Sequence, residues 1–433
     1  MEYLLILTFV LAPTYVIRFS FLHLPTNLLM VWVFLFWIIF GVWLIVNKKV
    51  EDFIRFKLST DRKIIIPLTL FFLAGLISLF VGGVDRAKLG QFIVLLLQPI
   101  SLFFIAGYIF SAGGGSASGG KEFPKSKSYL LSTIYYLLAA AGLYAIIQYF
   151  TLHGLPPAWW GNSQEPKRAL SFFAHPNFYA LWCAPLLALL IPSVFSPLPL
   201  GEGRVRVWWI KIAAWLIGAL GLLLSLSRSG WLGLAVAIGV YLIVAADKKT
   251  KKIIFAGAII AAAIVVYYPN LRYRILLPFY GEKSASSRIE LWGDGLKAVK
   301  KSPILGLGLT GFAAQYGALN TDQSLDTHNF PHNIFLNFYV ETGLLGLISF
   351  IWLISIYIYR GLRSAVLLPW RGEMSRVQPS DREVVPLDYN QIVKLSISLF
   401  LIALLFQGLV DNPYFKNDLA LVFWIILALN LSF

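Results

Sequence analysis

T-H-N-F-P-H-N-I-F-L-N-F-Y-V-E-T-G-L-L-G-L-I-S-F, residues 327–350, changes character part-way along. It opens as a polar loop that holds His328 and His332, two of the chain's five histidines. It then becomes an apolar run, and ~20 such residues suffice for a helix to cross a bilayer. The stretch therefore sets a titratable imidazole at the mouth of a membrane helix.

Comparable apolar runs recur along the whole chain. Of its 433 residues, 58% are hydrophobic and only 13% charged, roughly half the charged share of a soluble protein. The expected fold class is all-α: a polytopic membrane protein forming one integral membrane domain over 1–433. Twelve spans are predicted, over 3–20, 28–47, 64–82, 90–110, 129–150, 171–192, 208–226, 230–246, 253–268, 333–359, 394–410 and 418–433. Cys183, the single cysteine, lies in an apolar run, which excludes an intramolecular disulfide and a multi-cysteine metal site. No cleavable signal peptide is expected, because the first apolar segment leads into a second without a small-residue cleavage pattern.

Charge placement orients these spans. If the N-terminus is cytoplasmic, the basic tracts 48–63, 121–127, 204–211, 248–252 and 360–394 all lie inside, and they hold most of the 36 Lys and Arg residues. Short-loop Lys and Arg decide orientation, so both termini are expected on the cytoplasmic side of the membrane. The net charge of +15 is then a topology signal that requires no nucleic acid. The connections 111–128 and 361–392 read as cytoplasmic loops, the first with a Gly/Ser-rich flexible tract over 111–120.

The opposite face carries the informative loops. The segment 269–332 is too long for a simple connection and is expected to be a large extracytoplasmic loop. Within it, Ser287-Arg288-Ile289-Glu290 fits a capping box, and Ile289, Trp292, Leu296 and Val299 recur at helical spacing. An amphipathic helix lying on the membrane surface is predicted there, ending at Pro303. The G-L-G-L-T-G that follows (306–311) is a glycine-rich turn; with no preceding strand it is not a dinucleotide fingerprint.

Several residues on that face bear chemistry, each with a plainer reading beside it. His332, at a helix start after Pro331, suits a general base or an interfacial cap. Arg288, near the start of the surface helix, suits an anion or lipid phosphates. Arg228, in the tight S-L-S-R-S-G-W hairpin (225–231), is an intramembrane charge or a snorkelling side chain. Glu341, nine residues into its span, calls for a polar partner, and a structural hydrogen bond to a neighbouring helix is the favoured reading. The candidate pocket is completed by His328, Asn333, Arg168, His175, Asn177 and Asp411. His175 suits a pocket wall or a helix cap. No Asp-x-Asp pair or clustered metal-ligand spacing stands in an outward loop, so no metal or other cofactor is expected, and cations would have to serve any phosphate.

Taken together, four segments resemble the O-antigen ligase and polymerase superfamily. H-N-I-F-L-N-F-Y-V-E-T-G-L-L-G-L (332–347) looks like that family's histidine followed by an E-x-G-x-x-G-L helix. R-I-E-L-W-G-D-G-L-K-A-V-K-K-S-P-I-L-G-L-G-L-T-G-F (288–312) is similar to its loop helix and P-x-x-G-x-G turn. S-R-S-G-W (227–231) and F-F-A-H-P-N-F-Y-A (172–180) match in order and spacing. The resemblance implies a membrane-embedded glycosyltransferase that moves a glycan from undecaprenyl diphosphate to a glycan or lipid acceptor, without metal and with inversion. It implies His332 as general base, with Arg228 and Arg288 holding the diphosphate. Ligase-type transfer is the preferred form and polymerisation the alternative. A transporter or flippase of a lipid-linked saccharide or small anion is the reading from another class, disfavoured because paired interrupted helices in two repeated halves are not legible.

Overall fold

The computed structural model describes all residues except 22–23, 113–124, 163–165, 196–201, 247, 270–271, 274–282, 317–329, 367–388 and 432–433. The described chain is overwhelmingly helical. Its helices are α1 (Glu2–Val10), α2 (Leu28–Val46), α3 (Val50–Ser59), α4 (Arg62–Phe80), α5 (Arg86–Phe92), α6 (Gln98–Ala112), α7 (Lys125–Thr151), α8 (Pro176–Phe195), α9 (Glu202–Leu224), α10 (Arg228–Val244), α11 (Lys248–Tyr267), α12 (Lys283–Lys301), α13 (Gly311–Tyr316), α14 (Ile334–Val366), α15 (Tyr389–Gly408) and α16 (Asn417–Ala428). Among the described residues, eight helical segments are long and apolar enough to cross a membrane: Leu28–Val46, Arg62–Phe80, Arg86–Ser111, Lys125–Thr151, Pro176–Phe195, Thr250–Tyr267, Ile334–Ala365 and Tyr389–Gly408. Trp208–Leu224, Arg228–Val244 and Asn417–Ala428 are apolar but shorter. This is a multi-pass membrane protein.

The span expected over 3–20 does not form. The helix stops at Val10, Pro13 falls in a short 3-10 turn over Ala12–Val16, and Arg18–Phe21 pairs antiparallel with Leu24–Asn27. Nine helical residues rise only ~14 Å, short of the hydrocarbon core. Asn27 then caps α2, its side chain accepting from the Met30 amide at 2.9 Å.

The chain divides into two compact units. The first comprises Met1–Thr133, Ser286–Ile356 and Gly408–Phe433. Its core is aromatic: Phe71, Phe338, Phe350, Tyr414, Phe423 and Trp424 meet ring to ring. A π-helical turn, Ile93–Leu97, joins α5 to α6. Such a turn disturbs the regular carbonyl ladder, and the Leu95 carbonyl accepts the buried Tyr414 hydroxyl at 2.6 Å. Trp424 Nε1 donates to the same Tyr414 oxygen at 2.9 Å, so the polar tips of this core are paired.

Within the same unit α14 is broken at Gly343, whose backbone (φ 69°, ψ −172°) is not helical. Glycine alone adopts such a conformation without steric cost. The turn after α12 fills the break. Leu344 N–H donates to Ile304 O at 3.0 Å, and Val340 O accepts Leu307 N–H at 2.6 Å. Backbone groups released by the break are thereby paired with an adjoining turn, as burial demands. A Cβ on Gly306 would sit 2.4 Å from Val340 O, so the turn enters only because it carries no side chain there. The Ser78 hydroxyl donates to the Glu341 carbonyl on the facing side.

The second unit comprises Ile134–Ala285 and Tyr357–Gln407. It is organised around α8, which is buried along nearly its whole length. Gln407 Nε2 donates to Ala180 O of α8 at 2.9 Å. Buried Gln148 shapes the segment before α8: its Nε2 donates to Gly154 O and Ser171 O, and its Oε1 accepts the Ser171 amide at 2.8 Å.

Candidate functional site

In the first unit, α14 begins at Ile334, two residues after His332. Asn333 is the cap, its Oδ1 accepting the Phe335 and Leu336 amides at 3.1 and 3.0 Å. That satisfies two otherwise orphaned N–H groups. Asn333 Nδ2 donates to Leu409 O at 3.0 Å, so the cap also anchors the connection between α15 and α16. His332 is thereby displaced from the capping role and held in the left-handed region, φ 47°. Such a backbone is costly for a side-chain-bearing residue and concentrates at functional sites.

Asp411 is what His332 meets. Nδ1–H of His332 donates to Asp411 Oδ1 at 3.2 Å, the assignment following from a carboxylate that only accepts. Nε2 is then the basic nitrogen. Asp411 is buried, and its Oδ1 also accepts the Asn412 amide at 3.1 Å. Arg288 Nη2 lies 4.0 Å from Asp411 Oδ2. Burial by itself pushes the Asp411 carboxyl up, but the His332 hydrogen bond and the charges of His332 and Arg288 outweigh it and hold the group below the usual carboxylate range. A histidine oriented by a buried carboxylate, with an arginine beside them, can remove a proton and hold an anion at one place.

Arg288 comes from α12, where two expectations are corrected. The helix starts at Lys283, a turn before the predicted capping box, so Ser287 is an interior residue and Arg288 stands in the second turn. Its apolar face is also different: Leu291, Ala298 and Val299 are buried in a core with Phe312 and Val340, while Ile289 and Leu296 stay exposed. Nearby α14 supplied a better partner than the wheel alone could indicate. Trp292 Nε1, one turn beyond Arg288, donates to the His332 carbonyl at 3.4 Å.

Glu341 is fully buried at the break in α14, and its Oε2 accepts from Gln91 Nε2 at 3.1 Å. This is the structural bond to a neighbouring helix that the sequence favoured. Gln91, one amide in the apolar segment 86–111, was the overlooked partner. His328 lies outside the described residues.

The remaining candidates belong to the second unit. Arg228 is the first residue of α10, after the three-residue connection 225–227 that leaves α9. Arg168 is buried; its Nε donates to Ser225 O at 3.0 Å, its Nη2 to Asn177 Oδ1 at 2.6 Å, and its guanidinium lies 5.5 Å from the centre of the Trp159 ring. Arg168 thus ties the hairpin before Arg228 to the start of α8. His175 Nδ1 accepts the Asn177 amide at 3.0 Å and its ring meets Trp159 edge-on, the capping alternative. Among the described residues no group of three or more His, Cys, Asp or Glu gathers as metal ligands.

Residues 212–351 match the O-antigen ligase family model. Over that segment, about a third of the chain, the protein is similar to the O-antigen ligase family. The segment contains Arg228, Arg288, His332 and Glu341 and stops well before Asp411. The chain is 27% identical to the exopolysaccharide production protein ExoQ of Rhizobium meliloti, over 50% of this chain and 47% of that protein. It is 30% identical to an O-antigen ligase of Pseudomonas aeruginosa, over 42% and 39% respectively. A protein of Haemophilus influenzae is 29% identical over 30% of this chain and 38% of its own length. The aligned regions span less than half the length of each of these relatives.

Proposed function

We propose that this protein is a glycosyltransferase that moves a glycan from undecaprenyl diphosphate to an acceptor hydroxyl on the outer face of the bacterial cytoplasmic membrane, both termini lying inside. The observation that carries the reading is His332 Nδ1 3.2 Å from Asp411, with Arg288 4.0 Å from the same carboxylate. His332 Nε2 takes the acceptor hydroxyl proton as that oxygen forms a bond to the anomeric carbon. The bond from that carbon to the phosphate oxygen breaks, its electrons leave on the diphosphate, and the configuration inverts. Arg288 stabilises the developing phosphate charge, as a cation placed where charge appears does best. The reaction needs no metal, so EDTA leaves the rate unchanged; a strict divalent-ion requirement rejects this part of the reading.

The deciding experiment uses purified protein in lipid with a pool of undecaprenyl-diphosphate glycan and compares wild type with His332→Ala. Glycan should appear on an acceptor with wild type, while the variant makes no product and still binds carrier. Equal product from both rejects the assignment. Carrier crossing the bilayer, with no glycosidic product, establishes the transporter reading instead. The P. aeruginosa relative is named an O-antigen ligase, which favours single transfer to an acceptor; the R. meliloti relative is named only for exopolysaccharide production, which leaves polymerisation as the alternative. A product mass ladder separates the two.

A further inference from the structure

We propose that the turn Ile304–Gly308, seated in the break of α14, is a positioning element that holds Arg288 against the His332–Asp411 pair, with Gly306 and Gly343 as its positioning residues. The inference rests on the functional reading above for its kinetic arm and on geometry alone for its structural arm.

The argument starts from how α12 is attached. Arg288 sits near one end of this helix, and its guanidinium reaches Asp411 only at 4.0 Å. Trp292 adds one 3.4 Å bond to the His332 carbonyl. Between them, Leu291 is buried in the same core as Val299, so the 19-residue helix is seated along its length. At the other end the backbone itself is joined. The chain leaves α12 at Lys301 and within a few residues makes two backbone hydrogen bonds to α14, Leu344 N–H to Ile304 O and Leu307 N–H to Val340 O. These straddle Gly343. Leu291, Ala298 and Val299 pack with Val340 from the same side. The helix bearing Arg288 and the helix that begins beside His332 are therefore joined backbone to backbone, and this joint contributes to the charge geometry at the other end.

Fit at the joint is close on both sides. A Cβ on Gly343 would lie 2.3 Å from Ile304 O, and one on Gly306 would lie 2.4 Å from Val340 O. Both residues also have φ of 69°. Loosening the joint should let α12 swing and move Arg288, and displacements of about 1 Å in a catalytic group cost up to ~10²-fold in rate.

Leu344→Pro is the selective variant. Leu344 follows the break, so its N–H serves the joint and not the helix. Proline suits a helix's first turn, and Gly343, lacking a Cβ, leaves room for its ring. The substitution deletes the bond to Ile304 O. Gly306→Ala attacks the other side. Nitroxides at Lys297→Cys on α12 and Ile348→Cys on α14, in a Cys183→Ala background, report the interhelical distance distribution by pulsed electron resonance in nanodiscs. Expected is a broadened distribution in both variants, with unchanged helical circular dichroism. Transfer should fall about tenfold or more, with kcat/KM for the carrier falling and the dependence on acceptor concentration kept. A sharp wild-type-like distribution in Leu344→Pro overturns the joint. So does a broadened one with wild-type transfer. If wild type itself makes no glycosidic product, the functional reading falls, and the distance measurement still decides the joint.

Discussion

Asp411→Asn removes one negative charge from the centre of the site and little else, since the amide is nearly the carboxylate's shape. When His332 takes the acceptor's proton it becomes a cation 3.2 Å from Asp411 Oδ1. At an effective dielectric constant of ~20 two unit charges so placed attract by ~5 kcal/mol. Arg288 competes for the same carboxylate, and desolvation of the buried pair returns part of the gain. About 3 kcal/mol of transition-state stabilisation remains, roughly two decades in kcat. The attraction exists only once the proton has moved, so carrier affinity should change little. The assay is steady-state glycan transfer in nanodiscs with the carrier varied, alongside carrier binding by direct titration. Wild-type kcat in Asp411→Asn refutes the reasoning. A loss confined to KM refutes it too, because Asp411 would then be a ligand contact and not the partner of an imidazole.

The Asp411 carboxyl is held low in the folded protein, so its contribution is present above the ordinary carboxylate pKa of about 4 and is lost as pH falls through the lowered value. Thermal midpoints of wild type and Asp411→Asn should therefore differ at neutral pH and converge on acidification; a gap that persists in acid contradicts the assignment. Arg288→Lys keeps the charge but not the planar fork, and carrier affinity should fall about tenfold or more; undiminished affinity removes Arg288 from diphosphate binding. Glu341→Ala removes the carboxylate that accepts from Gln91 and should destabilise by about 1–3 kcal/mol, whereas Glu341→Gln can still pair and should melt near wild type. Equal losses in both variants would show that the charge, not the hydrogen bond, matters there.

Much of the site was legible because its parts are local. A histidine after a proline at the edge of an apolar run announces a helix mouth. The S-R-S-G-W hairpin marks Arg228, and helical spacing around Trp292 marks α12. Whether His332 caps the helix stayed open in the sequence because Asn333 and His332 are both able to cap; the Asn333 bonds and the backbone at His332 (φ 47°) decide for Asn333. The start of α12 was misjudged for a similar reason. Ser287 and Glu290 fit a capping box, but Lys283–Ser286 continue the helix upstream. The predicted first span failed because hydropathy counts residues 3–20 without registering that Pro13 stops the helix.

By itself the sequence determined that this chain is a multi-pass helical membrane protein with His332 at the mouth of a helix. Those features depend on composition and spacing within a few turns, and a bilayer imposes them locally. Only the tertiary structure decided that Asp411, 79 residues away, orients His332, and that α14 is broken at Gly343. Glycine fits a membrane helix as readily as a break. Which state it takes depends on whether another segment arrives to satisfy the exposed backbone groups, and here Ile304–Gly308 does so.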